Sequence, residues 1–186
     1  MENLSEFLHK YIPCVDLTDF LDCFQRKIIA KKDFLVRPGD LCDFLVFIDK
    51  GLFRVYYYDL EGKEITSWFS FEHWMVTDML AFYTNQKATF YVEALEDSEV
   101  FMITKEQLEE LYAVNPEYRE FGRRFAEEAL AMMMGRSMSL QTLNATERYE
   151  ELLANPEFML KIPLKYLASY LGITDTSLSR IRKSFE

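Results

Sequence analysis

The chain has 186 residues, 49% hydrophobic and 28% charged, a globular composition that excludes disorder and suits one fair-sized domain, or one domain plus a small appended unit. Its net charge of −10 argues against nucleic acid, whose phosphates need Lys and Arg. The charge is uneven, however: residues 144–186 carry six acids and six bases, and between Lys161 and Lys183 the five bases Lys161, Lys165, Arg180, Arg182 and Lys183 meet one acid, Asp175.

The start of the chain, acidic and amphipathic, is no signal peptide. Apolar residues recur at helical spacing (Leu4, Phe7, Leu8, Tyr11, then Leu17, Phe20, Leu21, Phe24), which predicts two short helices broken near Pro13. From Lys27 to Thr104 the texture changes to short runs of Ile, Val, Phe and Tyr. The predicted strands are Lys27–Val36, Phe44–Ile48, Phe53–Tyr58, Ile65–Phe71, Thr89–Leu95 and Val100–Thr104, with an irregular stretch before Thr89. Gly39, Gly51 and Gly62 fall where the chain must reverse. Such spacing argues for a sandwich, barrel or roll.

Helical periodicity returns at Lys105. A helix over Lys105–Val114 stops at Asn115-Pro116, and a long one follows from about Glu117 to Leu143 with Tyr118, Phe121, Phe125, Ala129, Met132 and Met133 as its apolar positions. A helix of this length serves either as a coiled-coil-like dimer seam or as a lid folded back on its own sheet. The run Met132-Met133-Met134 reads as adaptable packing. Short helices are predicted over Thr146–Ala154, Pro163–Leu171 and Asp175–Lys183. No apolar run approaches the ~20 residues a membrane span needs, and a reducing cytoplasm fits Cys14, Cys23 and Cys42, which are scattered and odd in number.

The last two helices carry the most information. Pro163 suits a first helical turn. Leu164, Leu167, Ala168 and Leu171 make one face, Gly172 follows as a left-handed C-terminal cap, and Thr174 can cap the next helix, whose apolar positions are Leu178 and Ile181. Two helices joined by a tight glycine turn describe a helix-turn-helix; a plain αα-hairpin with a solvated basic face would show the same pattern. The second helix presents Thr176, Ser177, Ser179, Arg180 and Lys183 outward. With Thr174 and Arg182 these form the expected DNA-contacting set, Arg180 at a base edge and Arg182 and Lys183 on phosphates.

From Lys27 onward the chain resembles the bacterial cyclic-AMP receptor protein and fumarate–nitrate regulator (Crp-Fnr) family, in the short form met in Bacteroidetes-type bacteria. The resemblance rests on Pro38-Gly39-Asp40, the turn Phe47-Ile48-Asp49-Lys50-Gly51, Glu93-Ala94-Leu95-Glu96-Asp97, Leu111-Tyr112 with Asn115-Pro116, and Ser177-Leu178-Ser179-Arg180-Ile181-Arg182-Lys183. It implies an α+β chain of three parts: a jelly-roll-like β-roll sensor domain with N-terminal helices over 1–115, a dimerisation helix over 116–143, and a small all-α helix-turn-helix domain over 144–186. No wing hairpin follows within these residues. The implied partners are a second copy of the chain, double-stranded DNA bearing a palindromic operator, a small-molecule effector and RNA polymerase, with no membrane.

The departures from that family are specific. Cyclic-nucleotide binders carry Gly-Glu near the start of the phosphate cassette, for the ribose, and Arg-Ser or Arg-Thr near its end, for the phosphate. Here the stretch is Trp74-Met75-Val76-Thr77-Asp78 through Gln86-Lys87-Ala88-Thr89, with Ala88 at the Arg position and no Gly-Glu. Thr77, Asp78, Lys87, Ala88 and Thr89 are therefore the candidate effector residues, and cyclic AMP is expected to bind poorly. The family's iron–sulfur branch needs a cysteine cluster and its haem branch a histidine ligand; scattered cysteines and a lone His73 supply neither, so no metal and no cofactor are expected. An enzyme on this scaffold would need clustered His and carboxylate ligands, and only His9 and His73 exist. The competing reading is a β-roll module whose terminal helices bind protein instead of DNA.

Overall fold

The computed structural model describes residues 1–185. The chain divides into two compact units: residues 1–57 with 68–127, and residues 58–67 with the chain from 128 onward.

The first unit starts with helices α1 (Glu2–Tyr11) and α2 (Thr18–Asp22) and continues through strands β1 (Gln25–Ile29), β2 (Phe34–Val36), β3 (Phe44–Lys50), β4 (Phe53–Tyr58), β5 (Glu64–Ser70) and β6 (Met75–Val76). Helix α3 (Met79–Thr84), strands β7 (Tyr91–Ala94) and β8 (Ser98–Thr104) and helix α4 (Lys105–Val114) lead into the long helix α5 (Pro116–Thr142). The strands build two four-stranded sheets, ordered β1-β8-β3-β6 and β2-β7-β4-β5. Partners run antiparallel, with Val46 opposite Met102 in one sheet and Val55 opposite Val92 in the other. Except for β4 and β5, neighbours in each sheet are distant in sequence, the mark of a jelly-roll-like β-roll.

Strand periodicity explains how this unit is filled. Val46, Ile48 and Val100 from one sheet meet Phe53, Val55, Val92 and Ala94 from the other inside the roll. The alternate residues Leu45, Phe47, Phe101 and Ile103 point to the opposite face, where α1, α2, α4 and the first turns of α5 cover them. Phe7 is the hub of that layer, its ring 5.3 Å from Phe47, 5.8 Å from Trp74 and 6.2 Å from Phe125. Each such buried aromatic contributes about 1.5–3 kcal/mol of transfer free energy. Gly51 joins β3 to β4 at φ +122°, and a Cβ there would collide with the Ser98 side chain. β1 sits at a sheet edge, its residues largely exposed, with Arg26 paired to Glu99 across the strand at 2.5 Å.

Four expectations are corrected. The single strand over Lys27–Val36 is two strands in different sheets, separated by a turn in which the Asp33 N–H reaches the Ala30 carbonyl (2.9 Å) and Lys32 takes φ +73°. The irregular stretch before Thr89 holds β6 and α3. A further short helix, α7 (Pro156–Lys161), precedes Pro163. Finally, Tyr118, Phe121 and Phe125 of the long helix face the roll and lie in its outer core, so these positions are no part of a dimer seam.

The second unit contains the tip of the β4–β5 hairpin, the rest of α5, α6 (Ala145–Leu153), α7 (Pro156–Lys161), α8 (Leu164–Leu171) and α9 (Asp175–Lys183). Asn144 starts α6 with a capping box, its side chain accepting from the Glu147 N–H while the Glu147 carboxylate accepts from the Asn144 backbone N–H. Asn155 caps α7, with Pro156 at the first helical position. Along this part of α5, Leu130, Met134 and Met138 recur at intervals of four and are 58%, 64% and 66% exposed.

Candidate nucleic-acid interface and sensor cassette

In the second unit, α8 begins at Pro163, which stands at the N-cap and not inside the first turn; its carbonyl accepts from the Leu167 N–H at 3.1 Å. α8 ends at Gly172 in the left-handed region (φ +71°), where the Gly172 N–H returns to the Ser169 carbonyl and the Ile173 N–H to that of Ala168. Thr174 then caps α9, its Oγ accepting from the Ser177 N–H at 3.2 Å. Leu167, Ala168 and Leu171 of α8 and Leu178 of α9 are buried where the two helices meet. Ala168 is fully buried, so a larger side chain there would push the helices apart.

Three side chains of this unit hold α8. The Arg148 guanidinium donates to the Leu171 carbonyl (2.9 Å) and to that of Leu143. Arg136 lies 3.7 Å above the Tyr170 ring and donates to the Tyr170 carbonyl; burial pulls the pKa of this guanidinium down. Both cations thus meet the negative end of the α8 dipole. Ser169 grips the hairpin tip: its hydroxyl donates to the Glu64 carbonyl (3.0 Å) and accepts from the Thr66 N–H (2.9 Å). Apart from the local Arg148–Leu143 bond, these contacts pair residues far apart in the sequence, so periodicity gave no sign of them.

With Leu178 and Ile181 turned inward, helical periodicity places Thr176, Ser179, Arg180 and Lys183 on the outward stripe and Arg182 to one side. Thr176, Arg180, Arg182 and Lys183 are exposed, and Ser179 is half-buried. Thr174 and Ser177 are committed to the cap, their hydroxyls 3.0 Å apart. Lys165 is exposed on α8, while Lys161 pairs with Glu157 at 3.3 Å. The bases in the last turn of α9 also stabilise that helix through its dipole, whatever they touch.

In the first unit the cassette runs from β6 through α3 to β7. Thr77 is buried and donates to the Phe44 carbonyl (2.9 Å), with the Cys42 sulfur 2.9 Å from its hydroxyl; burial pushes the Cys42 thiol pKa up. Asp78 is 1% exposed. It caps α3, Oδ1 accepting from the Ala81 N–H (3.1 Å), and its Oδ2 accepts from the Thr89 and Phe90 N–H groups (3.0 and 3.2 Å). Ala88 is buried and strapped to the Pro38-Gly39-Asp40 turn, donating to the Asp40 carbonyl (2.9 Å) and accepting from the Gly39 N–H (2.8 Å). Lys87 and Thr89 are exposed. At the other end of α3, the Lys105 ammonium donates to the Phe82 carbonyl and the Asn85 side chain, both at 2.7 Å. Asp78 before the apolar run Met79–Phe82 is an N-cap signal readable from the sequence; the Lys105 bond is not. Among the described residues, no three His, Cys, Asp or Glu side chains are placed to hold a metal, and no helix is long and apolar enough to cross a membrane.

Residues 26–115 match the family model of the cyclic nucleotide-binding domain. Among curated proteins, none matches the chain by sequence. Among solved structures the fold is similar to that of FixK2 from Bradyrhizobium japonicum (14% identity, TM-score 0.75, covering 87% of this chain and 84% of that one). It is similar also to the cyclic-di-GMP-responsive global regulator CLP of Xanthomonas campestris (17%, 0.68, 91% and 89%). A third similar structure is described as a crp/fnr-family transcriptional regulator from Eubacterium rectale (18%, 0.70, 95% and 87%). At these identities the likeness establishes the fold.

Proposed function

We propose that the chain is a DNA-binding transcription regulator of the Crp-Fnr type, acting as a homodimer and reading a palindromic operator. The observation that carries this reading is the α8–Gly172–α9 unit: a tightly capped helix pair with Thr176, Arg180 and Lys183 aligned on its outward face. The neighbouring structures named as transcription regulators support it. In this reading residues 1–115 sense, the long helix over 116–143 dimerises through its part beyond Phe125, and residues 144–186 form the helix-turn-helix head. The exposed row of Leu130, Met134 and Met138 is the dimer seam. α9 enters the major groove, with two copies one DNA turn apart on a twofold axis. A small effector acting through the roll, RNA polymerase as the protein partner and a cytoplasmic setting complete the proposal, with no catalytic step.

Site selection from a random duplex pool tests it. Wild type should enrich a palindrome. Arg180→Ala should lose ~1–3 kcal/mol of affinity and relax one base position per half-site, because the guanidinium fork matches guanine O6 and N7. No enrichment by a folded dimer would refute the DNA reading and favour a protein partner for α8 and α9.

A further inference from the structure

We propose that the anion seat of the sensor cassette is filled from within: the Asp78 carboxylate occupies the place where an anionic ligand group would be held. The cassette is then self-liganded, and an effector of this roll brings no phosphate or carboxylate to it. This inference stands whether or not the C-terminal helices bind DNA.

The argument starts from the donors. Three backbone N–H groups from two separate segments, Ala81 at the start of α3 and Thr89 and Phe90 in the segment that leads into β7, converge on the two oxygens of one side chain. Converging backbone amides are how proteins hold anions without a cation. Asp78 is 1% exposed, so its charge is removed from water and met by these dipoles. A phosphodiester monoanion such as a cyclic nucleotide needs donors of this kind. Here they are already bound, and the carboxylate repels a second anion. Ala88 adds no cation beside them, and its own N–H and carbonyl are bonded to the Gly39-Asp40 turn. Lys105 ties down the far end of α3. The cassette helix is therefore fastened at both ends by the chain's own side chains.

The test is chemical rescue in the full chain. Asp78→Ala leaves the three amides facing a carboxylate-sized vacancy. Thermal unfolding is followed in formate, acetate and chloride at matched ionic strength, together with the amide proton shifts of Thr89 and Phe90. Wild type should respond alike to all three salts and should show no shift in midpoint with millimolar cyclic AMP or inorganic phosphate. Asp78→Ala should melt lower, and formate or acetate should raise its midpoint saturably, as a ligand of the native state does, while returning both amide shifts toward wild type. If Asp78→Ala does not fold, Asp78→Ser keeps a cap for α3, and the same rescue should appear at Thr89 and Phe90. A wild-type midpoint raised by cyclic AMP or phosphate, or a folded variant indifferent to formate and acetate, overturns the proposal.

Discussion

Replacing Lys183 with alanine should change how steeply DNA binding depends on salt. Each subunit exposes Lys165, Arg180, Arg182 and Lys183. Lys161 is tied to Glu157, and Arg136 and Arg148 to the carbonyls that end α8. With Arg180 at a base edge, three bases per subunit are left for phosphates, or six in a dimer. Phosphate contacts release about 0.9 counterion each, so log affinity should fall against log salt with a slope of about −5, a loss of about 2,000-fold between about 50 and about 200 mM. Lys183→Ala removes one contact from each subunit. The slope should flatten to about −4 and the same interval should cost about 150-fold. Affinity at low salt should drop alike for every sequence, because phosphates position without specifying. Fluorescence anisotropy on a labelled operator at several salt concentrations measures both slopes. A wild-type slope shallower than about −2, or an unchanged slope in a folded Lys183→Ala dimer, would refute the placement of α9 on DNA.

Met134→Glu should convert the dimer to a folded monomer in sedimentation at micromolar concentration. Phe125→Ala should instead cost about 3–5 kcal/mol of stability, since that ring is packed in the outer core of the roll; a dissociated but equally stable Phe125→Ala would reverse this assignment. Gly122→Ala would set a Cβ 2.6 Å from the Tyr112 hydroxyl, and such overpacking should cost about 1–3 kcal/mol in denaturant titrations. The strain at Gly172 is of another kind, with open space around its Cα and φ +71°; Gly172→Ala should cost about 1 kcal/mol through backbone conformation alone.

Periodic signals were the legible ones. α4 and α9 stand at their expected bounds, and so does β4, whose apolar run ends at a turn signal. The turn at Ala30–Asp33 escaped because four small or charged residues without glycine or proline gave no punctuation; Lys32 takes the left-handed conformation that glycine usually marks. α3 is too short for a helical period to emerge. The long helix misled more instructively: of the apolar positions that read as one stripe, Tyr118, Phe121 and Phe125 cover the roll while Met132 and Met133 are exposed, and Leu130, Met134 and Met138, on the other side of the helix, are bare as well. Spacing alone cannot separate covered from bare. In the cassette, residue types identified what is missing for cyclic AMP, but Asp78 showed its three amide partners only once Thr89 and Phe90 were brought to it by the fold.

The exposed edge strand β1 bears on the solubility of the chain. An open strand edge is a template on which another molecule can add its own edge, and repetition of that step makes aggregates. β1 presents Arg26 and Lys27, with Lys31 and Lys32 just beyond it, a basic cluster within an otherwise acidic half. Two such edges meeting antiparallel would bring Arg26 and Lys27 of one molecule against their counterparts in the other, and like charges directly opposite are unfavourable. Glu99 offsets one of these charges within each molecule and leaves Lys27 to oppose the encounter. These bases, which neither the α8–α9 pair nor the cassette uses, would keep nascent and crowded copies of the chain from joining sheet to sheet.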